Sequence, residues 1–273
     1  MDLLIVLAIF GYLASAAGYF AFLFLQKPPM HKGGYGFLLA GFVLHTAAVV
    51  VGFWQSGHIP VNNLYETLSM AAWALVAAFL GLHYRFRLNV LGVYTAPLAA
   101  FILIAAYNLP KTSVARPEVL KSLWLVAHII TIFLGDAALA LACGAGILYL
   151  LQETTIKRKS RGFFFKRLPS LELLDNTGYA CIVCGFTLLT VGLVTGIVYA
   201  KSVWGRFWSW DPKEVWAGIT WLLYAVLLHE RLTVGWRGRR SAILQIIGFA
   251  IVLFTLFGVN FFLKGHHGIF TRF

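Results

Sequence analysis

Trp204-Gly-Arg-Phe-Trp-Ser-Trp-Asp211 runs directly into Pro212-Lys-Glu214, and Trp216 and Trp221 follow closely. Three tryptophans fall within seven residues. On either side lie long apolar runs, at roughly 176–200 and 215–232. Tryptophan is enriched at membrane–water interfaces. A polar, aromatic segment between two such runs therefore reads as a loop joining two membrane-spanning helices.

Composition extends that reading to the whole chain. Of 273 residues, 60% are hydrophobic and 12% are charged, against about 25% charged in soluble domains. Mean hydropathy is +0.81. Apolar runs of membrane-spanning length recur throughout, so the fold class is all-α, a polytopic membrane protein of about eight helices. The chain forms one transmembrane domain over 1–273, with the tryptophan loop at about 201–214. The expected spans are 3–25, 35–54, 64–84, 89–108, 121–151, 176–200, 215–232 and 241–263. The fifth is long enough to protrude or tilt. The first carries Asp2, lacks a basic leader and continues past Leu25, the pattern of a retained span.

The net charge of +12 argues for lysine- and arginine-rich loops on one face and not for nucleic acid. Loops after the first, third, fifth and seventh spans hold fourteen Lys and Arg, and the other side holds eight. The positive-inside rule then puts both termini, and the tryptophan loop, on the outer side. The basic run in 152–175 is a topology determinant that also suits anionic lipid.

Asp211 is a good N-cap, Pro212 suits the first helical position and Glu214 completes a capping-box pattern. A helix start accounts for these residues. It does not account for Trp204, Trp208 and Trp210 crowded before them. Two readings stand: an interfacial anchor, or an aromatic shelf for a flat, π-rich ligand, to which Trp216 can contribute.

Histidines weigh toward the shelf, because ionisable groups inside a membrane are costly and mark function. His128 lies about seven residues into the fifth span, roughly 10 Å deep from outside. His266 and His267 follow the eighth span on the same side. Together they can supply two axial imidazoles to a haem iron, and outward Arg and Lys suit its propionates. His229 sits near the inner end of the seventh span, on the order of 20 Å away. It suits a second haem site whose other ligand is His45, His83 or a residue of another chain. Each such histidine taken alone is more often a hydrogen-bonded core residue.

Other groups have plainer readings. His58 and His31 lie in short loops and read as solvated. Asn63 and Glu66 cap the third span. Asp136, two turns below His128, is a buried acid with no evident partner. Cys181 and Cys184 have CxxC spacing, but no second pair and no following histidine, so they read as packing. Cys143 also lies in an apolar run, and no disulfide framework is implied.

Trp204 to Trp216 resembles the tryptophan-rich WWD signature of haem-handling membrane proteins. The order His128, WWD segment, His229, Gly265-His266-His267, with Asn62-Asn-Leu-Tyr-Glu-Thr67 after Gly57-His58-Ile59-Pro60, is similar to the CcsA (ResC) family of system II cytochrome c biogenesis. The likeness spans nearly the whole chain. It implies a holocytochrome c synthase of the haem lyase type: haem b is moved within the membrane and joined covalently to apocytochrome c CxxCH segments. His128 and His267 would be the catalytic, iron-ligating pair, with His266 the alternative ligand. Trp204, Trp208, Trp210, Asp211 and Trp216 would bind the macrocycle, and His229 would ligate haem on the inner path. The implied partners are a CcsB-like (ResB-like) membrane protein, which supplies the ligand opposite His229, apocytochrome c, and a thiol-reducing thioredoxin-like protein. The implied location is a bacterial plasma membrane, or a thylakoid membrane for a plastid-encoded chain. Haem carriers of the CcmC type and regulators of the HemX type share the tryptophan motif. The His229 equivalent and the complete histidine set separate this chain from them. A quinol-linked dihaem cytochrome would pair histidines between helices, whereas here they flank an outer loop.

Overall fold

The computed structural model describes residues 1–86, 89–111, 122–159 and 165–263. The described residues are helical apart from short connections. In order they form α1 (Asp2–Leu25), α2 (Pro28–Ser56), α3 (Leu64–Phe86), α4 (Gly92–Tyr107), α5 (Leu123–Lys157), α6 (Leu171–Trp204), α7 (Pro212–Thr233) and α8 (Arg239–Leu253). α8 continues through a π turn at Phe254–Gly258 into a last turn, Val259–Phe262. Six helices are long and apolar enough to cross a membrane: α1, α2, α3, α5, α6 and α8. α4 is apolar but has only 16 residues, and α7 carries charges at both ends.

Helix limits follow local chemistry. Asp211 caps α7, with Pro212 at its first position and Glu214 reaching back to the cap. Asn63 and Glu66 do the equivalent for α3: Glu66 N–H donates to Asn63 Oδ1 at 2.8 Å, and the Glu66 carboxylate reaches back to accept from Asn62 N–H at 2.7 Å. α6 departs from expectation. It persists through Lys201–Trp204, because the first glycine past its apolar run is Gly205, which takes the left-handed C-cap (φ 71°). The tryptophan loop is thus only 205–211, and Trp204 belongs to a helix.

The packing has two halves. α1 packs most extensively on α2, and α5 on α6. α3 and α4 complete the first half, α7 and α8 the second, and α3 against α5 joins them. Membrane helices associate through small residues that let backbones approach. A Cβ built on Gly18 would stand 2.7 Å from Gly34 Cα, and one on Gly135 would stand 3.2 Å from the Gly185 carbonyl oxygen. At the opposite end from the tryptophan loop, a buried bidentate pair ties α6 to α7. Arg231 donates to Asp175 at 2.8 and 3.1 Å, and the Gly238 N–H donates to the same carboxylate at 2.9 Å.

Candidate functional site

α5, α6, α7 and α8 enclose a cavity of about 340 Å³ at the tryptophan-loop end. His128 and Asp136 line it from α5. Gly196, Tyr199 and Trp204 line it from α6, Phe207 and Trp208 from the loop, Lys213 and Thr220 from α7, and Thr255 from the π turn of α8. π turns are uncommon and often mark functional sites.

His128 is held by α6. Its Nδ1 lies 2.7 Å from the Gly192 carbonyl oxygen. A carbonyl only accepts, so Nδ1 bears the hydrogen and Nε2 carries the lone pair in the neutral ring. The ring lies in a groove that exists because residue 196 is glycine: a Cβ there would stand 2.7 Å from Nδ1. A metal-binding histidine is commonly oriented through its other nitrogen in this way.

The loop is shaped by Glu214. Its carboxylate accepts from Ser209 N–H (2.8 Å), Ser209 Oγ (3.0 Å) and Asp211 N–H (3.3 Å). Between these contacts Trp210 takes a left-handed conformation, φ 57°, uncommon for a bulky residue. The two rings take different surroundings. Trp208 lines the cavity and comes within 3.7 Å of where a Gly218 Cβ would be. Trp210 points away and is 78% exposed. The rings meet edge to face at 5.9 Å.

The expected residues therefore divide. His128, Trp204 and Trp208 line one cavity. Trp210 lies outside it, Asp211 is a buried cap, and Trp216 packs on Phe254 at 4.5 Å. His266 and His267 lie outside the described residues. His229 is exposed near the far end of α7, on the order of 25 Å along that helix from Lys213. His45 is fully buried, with Tyr12 Oη at 3.1 Å and Ser69 Oγ at 3.0 Å on its two ring nitrogens. Those contacts make it a core histidine. His58 is buried and not solvated, because Gly57 turns the chain (φ 71°) and the His58 Nδ1–H donates to the Ile59 carbonyl at 2.9 Å. His31 is half-buried, edge-on to Tyr19 and Phe22, and its ring stands 6.5 Å from that of His83. Cys143, Cys181 and Cys184 are free thiols within helices.

Sequence reasoning counted Lys213 only among the outward basic residues suited to propionates and did not single it out. It reads as part of a helix start, yet it lines the cavity together with Asp136. Its place in the tryptophan segment was the available signal.

These features define a class: a multi-pass helical membrane protein with a histidine-bearing, tryptophan-lined cavity at one end of its second half. The chain belongs to the cytochrome c assembly protein family, whose pattern matches residues 61–267. It is 37% identical over 253 residues to the cytochrome c biogenesis protein CcsA of Guillardia theta, covering 86% of this chain and 84% of that one. To CcsA of Synechococcus sp. (strain JA-3-3Ab) it is 37% identical over 289 residues, covering 84% of each. To CcsA of Mesostigma viride it is 35% identical over 266 residues, covering 88% of this chain and 87% of that one. Among solved structures, cytochrome c heme lyase CcmF shares the fold, with a TM-score of 0.65 over 98% of this chain at 17% identity. The chain spans about half that protein's length, 48%.

Proposed function

We propose that this chain binds haem b in the cavity beneath the tryptophan loop and presents it for covalent attachment to apocytochrome c. The observation that carries the reading is His128. Its Nδ1–H is committed to Gly192, which gives Nε2 the lone pair an iron ligand needs, in a cavity lined by Trp204, Trp208 and Phe207. The names of the CcsA relatives support a place in cytochrome c biogenesis.

In this reading the tryptophan loop and both termini face outward, and His267 supplies the second axial ligand. His229 ligates haem on the inner path, opposite a ligand from a CcsB-like membrane partner. The exposure of His229 on α7 suits a ligand that another chain completes. Apocytochrome c brings a CxxCH segment whose histidine replaces one axial ligand. Each cysteine S–H then adds across a vinyl C=C: sulfur bonds the carbon beside the ring, and hydrogen ends on the terminal carbon. The addition is redox-neutral, but it requires ferrous iron and reduced thiols, which is where a thioredoxin-like reductant enters. The chain's own work is positioning. His128 fixes the iron, and the aromatic walls fix the plane of the macrocycle.

The test is co-expression with a CcsB-like partner and an apocytochrome in a bacterial host stripped of its own maturation system. Covalent haem on the reporter, lost in His128→Ala and His267→Ala, is the expected result. Haem that co-purifies with the chain while the reporter stays unmodified overturns the attachment role and leaves a carrier or regulator.

A further inference from the structure

Two charged side chains in the cavity have no part in the proposal above. Asp136 lies eight residues after His128 on α5, about 12 Å further along the helix. Lys213 comes from the first turn of α7. Both line the cavity, and Lys213 lies within electrostatic reach of two carboxylates, Asp211 first and Asp136 second. Neither side chain makes a hydrogen bond or a close ion pair with a described residue. Glu214, the third charged lining residue, differs: its carboxylate is occupied by Ser209 and Asp211.

A lysine at a membrane interface ordinarily extends its ammonium outward, to water. A carboxylate within a helix as apolar as α5 is costly and marks function. Asp211 lies on the cap side of the ammonium, and Asp136, the carboxylate on the inward side, favours its turning into the cavity. An ammonium has three donors, so Lys213 can face Asp136 and still receive another anion. The rest of the lining is mainly apolar and aromatic, apart from His128, Glu214 and a few threonines. The cavity therefore suits a ligand that is flat and apolar over most of its area and carries an anionic group at its inward edge.

Haem has that distribution. Its vinyl and propionate groups leave opposite edges of the macrocycle. Thiols arriving from water on the outer side need the vinyl edge outward, which sends the propionate edge toward Asp136 and Lys213. We propose that Lys213, held inward by Asp136, binds a propionate carboxylate and so determines which edge of the macrocycle faces the incoming thiols. Lys213 is the binding residue and Asp136 the positioning residue. The assignment rests on the outer haem site proposed above.

The test titrates the full chain, in lipid nanodiscs and in a His229→Ala background, with iron protoporphyrin IX and with its dimethyl ester, followed by Soret absorbance. The wild-type outer site should prefer the free acid by about tenfold or more, the scale of one charge-assisted hydrogen bond. Lys213→Met should erase that preference while ester binding persists, which also shows that the variant is folded. Lys213→Arg should retain most of it, and Asp136→Asn should weaken it without changing the low-spin spectrum that His128 gives. Equal binding of acid and ester by the wild type overturns the assignment. So does a Lys213→Met protein that still discriminates, or one that has lost ester binding while Lys213→Arg is indifferent to esterification. If neither macrocycle binds the wild type, the outer haem site itself is wrong.

Discussion

The His128 imidazole and the Gly192 carbonyl, 64 residues apart in sequence, meet at 2.7 Å. The contact sets the tautomer of the ring, and the absence of a side chain at Gly196 sets its position. A methyl group at residue 196 would stand 2.7 Å from Nδ1 and 2.8 Å from Cε1, closer than packed atoms tolerate. Gly196→Ala should therefore push the ring off its anchor without removing the proposed iron ligand. We expect covalent haem on a reporter cytochrome to fall roughly 10- to 100-fold, the usual cost of disturbing a metal ligand's support. The membrane level of the chain should stay near wild type. Unchanged reporter haem in Gly196→Ala would show that the groove is not needed.

Glu214 links the start of α7 to the tryptophan loop, since one carboxylate takes three donors from Ser209 and Asp211. Glu214→Ala should cost about 1–2 kcal/mol, as the loss of a helix cap does. It should also release Trp208 from the cavity wall. Glu214→Gln keeps an acceptor oxygen and should fall between. Intrinsic fluorescence and acrylamide quenching read the loop directly: emission should shift to the red, and quenching should rise, in the order wild type, Gln, Ala. Identical quenching in all three would mean that Glu214 does not hold the loop.

What the sequence revealed depended on how local the cause was. The capping pattern of Asp211-Pro-Lys-Glu214 is read from neighbouring residues, and the structure has it. Apolar runs of the right length gave α5, and the π turn inside the eighth span gave no such signal. The end of α6 was misplaced because an aromatic, charged stretch reads as loop, although nothing before Gly205 breaks a helix. His58 looked solvated because a turn can bury its own loop only against other elements. The placing of Asp136 and Lys213 on one cavity is likewise tertiary: 77 residues separate them, and helix packing alone brings them there.

The Asp175–Arg231 pair is the main polar tie between α6 and α7 at the end where His229 lies. Both side chains are nearly sequestered, 9% and 5% exposed. Asp175→Asn leaves the Arg231 guanidinium without its counter-charge, which costs about 3–5 kcal/mol for a buried pair. The detergent-solubilised protein should melt markedly lower. Asp175→Leu combined with Arg231→Met should recover much of the loss, because removing both charges removes the desolvation penalty too. A double variant as unstable as the single one would mean that the pair has a role beyond holding the helices.

His45 and His229 should respond in opposite ways to the same substitution. His45 is enclosed, with Tyr12 Oη and Ser69 Oγ on its two ring nitrogens. His45→Ala empties a packed site and leaves both hydroxyls without that partner, so about 2–4 kcal/mol of stability should be lost. Haem bound per mole of the protein that does fold should not change. His229 is exposed on α7 and has no such enclosure, so His229→Ala should leave the melting temperature of the isolated chain nearly unmoved. Its effect should fall instead on haem recovered with the CcsB-like partner. Measuring melting temperature and haem stoichiometry on both variants separates a packing histidine from a ligand. A His45→Ala protein that folds normally but carries less haem would reverse the assignment.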